Sequence, residues 1–275
     1  MADVVLHRGK EARVYGGHPW VFRSDIAAVE GDFRDGDVVR VLSDRRKFLA
    51  MAVYNPRSQI SLRVLTREDR PIDGDFIRAR VKRAIDYRRL FADLHSCRLI
   101  FAESDGLPAV IVDSFADVLV LQSLSLGMER FKQTIVDALV DELHPVGVYE
   151  RNDVPVRTLE GMEQQTGTLY GSVPDRVQIT ENGVSFWVDV KEGQKTGFFL
   201  DQKENRAAIA PFVKDARVLD CFTHTGSFAL HSARYGAREV IGVDLSDYAC
   251  EFATENVRLN GAIVRVRFEC ANAFD

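Results

Sequence analysis

The chain has 275 residues, of which 46% are hydrophobic and 28% charged, a composition typical of a folded protein with room for two or three domains. Charged residues within the first eleven positions interrupt any secretory leader. The most apolar stretch, 109–127, contains Asp113 and Asp117 and is too polar to cross a bilayer. We therefore expect a soluble, cytoplasmic protein with no membrane partner.

Charge is unevenly distributed along the chain. Residues 1–100 contain 20 Lys and Arg against 14 Asp and Glu, a net charge of +6, whereas residues 101–275 carry a net charge of −11. A basic module attached to an acidic body is typical of proteins in which one module binds nucleic acid. Arginines at 45–70 are predicted to contact RNA, and those at 78–89 fit RNA or a solvated helix face equally well.

The first predicted domain, residues 1–70, is a compact β-barrel. Runs rich in Val, Leu and Ile at 37–43, 47–55 and 59–66 are separated by turn residues, as short strands are. Trp20, within GHPWVF, is predicted to fill the core of this barrel rather than to stack on a base. The segment PIDG at 71–74 predicts a linker.

A second predicted domain, residues 75–175, is small and of the α+β type. Its first helix, of about 20 residues, carries one apolar stripe: Ile77, Val81, Ala84, Ile85 and Leu90. The later predicted elements are strands at 98–103, 109–115 and 118–124, a helix at 128–143 and a strand at 146–150. Glu103 and Asp105 are interpreted as solvated turn carboxylates, and the glycine-rich segment 161–174 as a second linker.

The third predicted domain, residues 180–275, begins with a strand at 184–190 that leads into GQKTGFFLDQKENR at 193–206. Asp201 and Glu204 have the spacing of a capping box, which predicts a helix from Gln202. The four cysteines show no CxxC or Cys/His spacing, so we predict four buried, apolar thiols, no disulfide framework and no metal site.

Segment 217–261 reads as strand, turn, helix, strand, acid and helix, which is half of a nucleotide-binding α/β domain. The second strand ends in Asp244, and an acid at that position accepts hydrogen bonds from ribose hydroxyls. The turn DCFTHTG contains only Gly226, whereas dinucleotide binding requires three glycines. S-adenosylmethionine (SAM) has no phosphate, so this turn favours SAM over NAD or FAD as the cofactor.

Together, segments 193–206 and 217–261 resemble the ribosomal RNA large subunit methyltransferase I family, and LHRGKEARVYGGHPWVFRSDI at 6–26 resembles the start of its RNA-binding PUA domain. The resemblance covers essentially the whole chain. It implies a PUA-like β-barrel, a central α+β domain and a Rossmann-like class I methyltransferase domain. It also implies SAM-dependent methylation of C5 of a cytosine in 23S rRNA, either as free rRNA or in a large-subunit assembly intermediate.

By this resemblance, three segments contact SAM. The loop residues implied near the ligand are Lys195, Thr196, Phe198 and Phe199. The turn residues implied around the methionine moiety are Asp220, Phe222, Thr223, His224, Thr225 and Gly226, with the N–H groups of Thr225 and Gly226 on its carboxylate. The residues implied at the ribose and adenine are Asp244, Leu245, Asn272, Ala273 and Phe274.

The resemblance also implies a seven-stranded sheet in the order 3-2-1-4-5-7-6, of which 264–275 would form strand three and its exit. The cysteine nucleophile of the family would follow Asp275, so no catalytic residue is assigned, and the fragment alone is expected to be inactive. Strand one would then form an exposed apolar edge.

Two other functions remain open at this point. Related RNA methyltransferases share the QKTG-type loop but modify guanine. A non-catalytic RNA-binding protein is the alternative if the native chain ends at residue 275, and it would bind RNA in a salt-sensitive manner without turnover. The sequence determines neither the target nucleotide nor the oligomeric state, and a homodimer is left open.

Overall fold

The computed structural model describes residues 1–261 and 265–274 and divides into two compact units, Met1–Val173 and Pro174–Asp275. Each unit has a hydrophobic core of its own. The three-domain division, with boundaries near residues 70 and 175, stays a prediction.

The first unit begins with a six-stranded sheet in the order β2-β6-β5-β4-β1-β3. Its strands are β1 (Asp3–Leu6), β2 (Trp20–Val21), β3 (Ile26–Glu30), β4 (Val38–Leu42), β5 (Phe48–Tyr54) and β6 (Leu62–Thr66), with helix α1 (Glu11–Tyr15) between β1 and β2 in the chain. Neighbouring strands are antiparallel except for the parallel pair β1 and β4. The predicted strands β4, β5 and β6 are confirmed, whereas β1, β2 and β3 were not predicted.

A second sheet of the first unit has five strands in the order β11-β10-β9-β8-β7. Its strands are β7 (Ser96–Phe101), β8 (Val110–Phe115), β9 (Val118–Ser123), β10 (Gly147–Asn152) and β11 (Gln165–Gly171). The helices of this region are α2 (Gly74–Arg89), α3 (Leu126–Glu129), α4 (Lys132–Leu143) and α5 (Val156–Leu159). Helices α2 and α4 pack together, and their apolar faces share one core with the sheet.

Three predictions for this region are wrong in part. Leu90 is 73% exposed because α2 ends at Arg89, so the apolar stripe stops at Ile85. The helix predicted at 128–143 is divided into α3 and α4. The segment 161–174 is not simply a linker, since β11 lies within it and pairs antiparallel with β10.

The carboxylates of Glu103 and Asp105 are ion-paired, so the prediction that they are solvated is wrong. Glu103 accepts hydrogen bonds from Trp20 Nε1 at 2.7 Å and from Arg63 Nη1 at 3.2 Å. Asp105 accepts two hydrogen bonds from Arg88, each of 2.7 Å. Trp20 is only half-buried, and it joins the first sheet to the turn that follows β7.

The second unit contains a hairpin and a three-stranded parallel sheet in the order β14-β15-β16. Its strands are β12 (Arg176–Glu181), β13 (Val184–Asp189), β14 (Arg217–Cys221), β15 (Glu239–Asp244) and β16 (Val266–Cys270). Its helices are α6 (Lys203–Ala208), α7 (Ala210–Val213), α8 (Ser227–Arg234) and α9 (Asp247–Leu259). This is the predicted order of strands one to three, although Val264 and Asp275 of the predicted third segment lie outside the described residues.

The predicted capping box at Asp201 and Glu204 is wrong. A 3-10 turn, Leu200–Gln202, precedes α6, and the N-cap residue Gln202 makes no side-chain capping bond. By contrast, Ser246 caps α9 by accepting a hydrogen bond from Ala249 N at 3.2 Å.

Among the described residues, every helix is too short or too polar to cross a bilayer.

Candidate cofactor-binding site

The site is organised by the carboxyl ends of two neighbouring parallel strands. In the register of β14 and β15, Asp220 lies opposite Gly242 and Cys221 opposite Val243, so the turn after β14 and the end of β15 meet at one edge of the sheet. Ligands of open α/β sheets bind at this edge. The predicted residues Asp220 and Asp244 therefore lie at one edge of the sheet.

Asp244 holds the backbone of the turn in place. Its Oδ2 accepts a hydrogen bond from His224 N at 2.9 Å, and its Oδ1 accepts one from Ser246 N at 3.1 Å. A carboxylate has about four lone-pair sites, so these two bonds leave acceptor capacity for a ligand hydroxyl. The same residue can thus order the turn and bind a ribose.

Asp220 is the second carboxylate of the site. Its Oδ2 accepts hydrogen bonds from Thr223 Oγ1 at 2.6 Å and from Ala229 N at 3.0 Å. Burial raises the pKa of Asp220, and the bonds from Thr223 and Ala229 oppose that rise. Its Oδ1 has no hydrogen-bond partner in the part of the chain that the structure describes, which leaves it available to a cationic ligand group.

The turn holds two non-glycine residues in the left-handed region, Phe222 at φ 60° and His224 at φ 52°. Such conformations cost free energy and concentrate at functional sites. Gly226 is also left-handed, and a Cβ there would come within 2.7 Å of the Phe268 ring, so the close packing of the turn on β16 requires glycine. Burial lowers the pKa of His224, which favours its neutral form.

The N–H groups at the start of α8 differ from the prediction at one position. Gly226 N donates to Thr223 O at 2.9 Å, so this N–H is already engaged within the turn. Thr225 N has no acceptor among the described residues, and the first turn of any helix leaves N–H groups unpaired. Of the two predicted donors, Thr225 N is therefore the one that remains available to a carboxylate.

The loop 193–199 reaches this turn through one aromatic side chain. The rings of Phe199 and His224 meet edge to face with centroids 5.5 Å apart, and Lys195 Nζ lies 4.4 Å from the centre of the Phe199 ring. Thr196 and Phe198 are buried, and Phe198 packs against Phe186 at 5.2 Å. Of the predicted loop residues, Lys195 and Phe199 are thus the ones at the surface of the site.

An apolar surface lies beyond the turn. Phe222, Leu245 and Phe274 are exposed, and the rings of Phe222 and Phe274 are 5.7 Å apart. Asn272 is exposed and uses its Oδ1 to accept a hydrogen bond from Phe274 N, while Ala273 is half-buried. Exposed aromatic side chains at the edge of a parallel sheet can cover the flat face of a ligand ring.

Sequence reasoning did not predict the buried ion pair that supports the loop. Arg206 donates to Glu181 through Nε at 2.5 Å and through Nη2 at 2.9 Å, and both side chains are fully buried. Arg206 Nη2 also donates to the carbonyl oxygen of Phe199 at 2.8 Å. Because Arg206 ends the motif at 193–206, its position within the motif was the available signal.

A second missed residue is Asn256 of α9. Its Nδ2 donates to Thr225 O at 3.1 Å, and its Oδ1 accepts from Trp187 N at 2.7 Å. Asn256 is fully buried and therefore ties the turn to β13. A lone asparagine in an amphipathic helix gives no sequence signal of such a role.

Two of the four cysteines contradict the prediction of burial. Cys97 and Cys250 are buried, whereas Cys221 and Cys270 are exposed. A hydrogen bond with Asp247 and burial raise the pKa of Cys270 to about 11, and burial raises the pKa of Cys250. In the described part of the chain, no group of three or more His, Cys, Asp or Glu could hold a metal ion.

Comparison with known proteins gives this site its context. The PUA-like domain family matches residues 4–67, and the TRM5/TYW2 methyltransferase domain family matches residues 177–270. Proteins named ribosomal RNA large subunit methyltransferase I are 43% identical to this chain in Pseudoalteromonas atlantica and Vibrio cholerae, over 94% of its length. The Tolumonas auensis protein of the same name is 42% identical over 279 residues, which cover 98% of this chain and 70% of that protein.

The chain belongs to the ribosomal RNA large subunit methyltransferase I family. The predicted PUA-like and methyltransferase regions are confirmed by the two domain families, and membership also confirms SAM as the predicted cofactor class. The chain spans 66% of the length of the Pseudoalteromonas and Vibrio relatives that it matches.

Solved structures show the same fold. A SAM-dependent methyltransferase from Streptococcus mutans is similar at a TM-score of 0.84 and 21% identity, covering 100% of this chain and 72% of that one. A methyltransferase in complex with S-adenosylhomocysteine is similar at a TM-score of 0.86 and 21% identity, covering 100% of this chain and 71% of that one. The predicted α/β fold class is thus confirmed.

Proposed function

We propose that this chain binds SAM at the edge formed by β14 and β15. We propose further that it acts in the SAM-dependent methylation of C5 of a cytosine in 23S rRNA. The observation that carries this proposal is the pair of carboxylates, Asp220 and Asp244, at the ends of adjacent parallel strands beside an open turn. The supporting relatives, at 43% identity, are named for the ribosomal RNA of the large subunit.

The residues present suit the chemical groups of SAM. Asp244 has acceptor capacity for ribose hydroxyls, Asp220 Oδ1 for an ammonium, and Thr225 N is a donor for a carboxylate. Phe222 and Phe274 offer an apolar surface for the adenine, flanked by Leu245. When bound, SAM supplies an electrophilic methyl group.

Further contacts are proposed for the remaining predicted residues. Lys195 and Phe199 lie at the mouth of the turn beside His224, and Asn272 and Ala273 precede the exposed ring of Phe274. The buried side chains of Thr196, Phe198 and Thr223 would support the loop and turn from beneath.

The 275-residue chain by itself is proposed to bind the cofactor without transferring its methyl group. Methylation at cytosine C5 requires a thiolate that adds to C6 of the ring. Raised pKa values disfavour the thiolates of Cys250 and Cys270, and Cys97 is buried in the first unit, so these three are poor candidates. Cys221 is the last residue of β14, beside the proposed SAM site, and is not proposed as the nucleophile.

The partner would be 23S rRNA, as free rRNA or in an assembly intermediate of the large subunit, within the cytoplasm. A guanine-modifying activity is the competing assignment, because related RNA methyltransferases that share the QKTG-type loop modify guanine. Mass spectrometry of 23S rRNA from cells lacking the gene, with and without the complete gene restored, would identify the base. A missing 5-methylcytosine is expected, and a missing methylguanine would contradict the cytosine assignment.

Cofactor binding is tested by the substitution Asp244→Asn. Loss of the charged acceptor should weaken SAM binding about tenfold or more, because a hydrogen bond to a charged group contributes about 1.5–3 kcal/mol. Isothermal titration calorimetry with SAM and S-adenosylhomocysteine measures this directly. Asp201→Asn is the matched control, since Asp201 is exposed and makes no side-chain capping bond. Equal affinities for both variants would contradict the assignment of Asp244.

A further inference from the structure

An open cavity of about 1000 Å³ lies in the first unit, outside the cofactor site. Its walls are the β6 segment at 64–68, the helix α2 and the turn that follows β7. The cavity is therefore shared between the PUA-like sheet and the region that follows it.

The carboxylates of this cavity are already neutralised by arginines. The pairs are Asp105 with Arg88 at 2.7 Å, Glu103 with Arg63 at 3.2 Å and Glu68 with Arg70 at 3.6 Å. Each lining acid thus has a guanidinium partner, although Arg63 is shared with Glu160, and the four lining arginines exceed the three lining acids by one.

Three further arginines line the cavity with no carboxylate partner among the described residues: Arg67, Arg80 and Arg83. Arg67 Nε donates to the carbonyl oxygen of Val14 at 3.0 Å, and Arg80 Nη2 to that of Leu65 at 3.4 Å. Burial together with the neighbouring cations Arg83 and Arg70 lowers the pKa of Arg80, although Glu68 opposes this. Like charges held together in a partly enclosed space favour binding of an anion.

Flat aromatic faces accompany these charges. Tyr87 is 56% exposed and Phe101 is 50% exposed, and both line the cavity. The Tyr87 ring also packs against the ring of Phe91, with the two ring centroids 5.0 Å apart. Single-stranded nucleic acids bind where cations track the backbone and aromatic rings stack on the bases.

We propose that this cavity binds a single-stranded segment of RNA, with phosphates on Arg67, Arg80 and Arg83 and bases stacked on Tyr87 and Phe101. The proposal rests on the proposed function, because it takes the ligand to be the RNA substrate. It adds that α2 and the turn after β7 form half of the binding surface, beside the PUA-like sheet. An acidic peptide would satisfy the arginines but would leave the aromatic faces unused.

The test is fluorescence anisotropy of the 275-residue chain with a labelled single-stranded RNA of ten nucleotides. Arg83→Gln should weaken binding at least about threefold and reduce the slope of log affinity against log salt by about 0.7, the value for one phosphate contact on a single strand. Arg78→Gln is the matched control on the same helix, because Arg78 pairs with Asp137 and Asp141 and lies outside the cavity. Its affinity and salt slope should equal those of the wild type.

A second variant tests the aromatic face. Tyr87→Leu keeps an apolar side chain but removes the ring, and it should weaken binding about fivefold or more, because stacking on one base contributes about 1–3 kcal/mol. Phe212→Leu, an exposed aromatic of the second unit, is the matched control and should leave binding unchanged. Both altered side chains are exposed, so the fold should persist.

Several outcomes would overturn the proposal. These are wild-type affinity in both Arg83→Gln and Tyr87→Leu, displacement of the RNA by duplex RNA as readily as by single strands, and displacement by a polyglutamate peptide at equal charge. Calorimetry with SAM on the same preparations separates the two ideas. Retained SAM binding with unaltered RNA affinity in the variants removes the cavity assignment alone, whereas absent SAM binding in the wild type removes the proposed cofactor function alone.

Discussion

Single ionisable residues in this chain have roles that depend on what surrounds them. Asp244 ends β15 and Asp220 precedes the last residue of β14 at the same sheet edge, yet each also accepts a backbone hydrogen bond, Asp244 from the turn at His224 N and Asp220 from α8 at Ala229 N. Glu181 lies deeper and has Arg206 as its partner, with His231 Nε2 3.2 Å from its carbonyl oxygen. A carboxylate that is buried and paired in this way is costly to alter, because its partner would remain charged and unpaired.

The substitution Glu181→Gln should therefore destabilise the second unit by about 3 kcal/mol, since it leaves the Arg206 guanidinium buried without a counter-charge. Urea unfolding followed by circular dichroism measures the free energy of unfolding. Glu251→Gln makes the same chemical change at an exposed position of α9 that has no ion pair among the described residues, and should change stability by less than about 0.5 kcal/mol. Equal effects of the two variants would show that the buried pair does not stabilise the unit.

Among the secondary-structure elements, helix N-termini that look alike in sequence differ in whether a side chain caps them. Ser246 caps α9, and Asp73 caps α2 by accepting a hydrogen bond from Phe76 N at 2.9 Å. Asp201 has the spacing of a capping box, but a 3-10 turn occupies that position and α6 begins without a side-chain cap. The buried ion pair of Arg206, one turn into α6, holds this segment in place instead.

Removing a cap should cost stability only where the structure contains one. Ser246→Ala should destabilise the second unit by about 1 kcal/mol, because Ala249 N, in the first turn of α9, loses its hydrogen-bond acceptor. Asp201→Ala should be within about 0.5 kcal/mol of the wild type. Urea unfolding of the two variants side by side checks this, and a cost of about 1 kcal/mol at Asp201 would show that a capping box forms in solution.

The whole molecule consists of two compact units, each with a buried ionic group. In the first unit, Glu160 accepts hydrogen bonds from Asn55 Nδ2 at 2.9 Å, Ser58 Oγ at 2.5 Å and Arg63 Nη2 at 3.2 Å. In the second unit, the buried carboxylate of Glu181 pairs with Arg206. Chains with more than one domain commonly unfold in more than one step.

We expect two unfolding transitions for this chain. Glu160→Gln should lower the midpoint of one transition, with a loss of about 2–3 kcal/mol because several bonds to a buried charge are weakened, and Glu181→Gln should lower the other. Differential scanning calorimetry of the wild type and both variants provides the measurement. SAM should raise only the transition that Glu181→Gln lowers. A single transition that shifts in both variants would contradict independent unfolding.

Much of the fold followed from local pattern. Strands β4 and β5 were predicted to within one residue of their observed bounds, and β6 with its start three residues early, because buried strands of Val, Leu and Ile between turn residues are distinctive. Strand β2 was missed because two residues hold no periodicity, and β11 because its glycines resemble a linker. Leu90 was misplaced because sequence periodicity does not show where a helix ends.

The sequence by itself determined the family, the α/β fold class and the cofactor class, because the motif at 193–206 and the segment 217–261 place particular residue types at strand ends and in turns. The tertiary structure alone decided which side chains lie together: Arg206 with Glu181, Asn256 with Thr225, and three arginines with two exposed rings around one cavity. The physical reason is that local geometry follows from neighbouring residues. Burial and charge pairing instead depend on residues up to about a hundred positions apart, such as Asn55 and Glu160, which only the folded chain brings into contact.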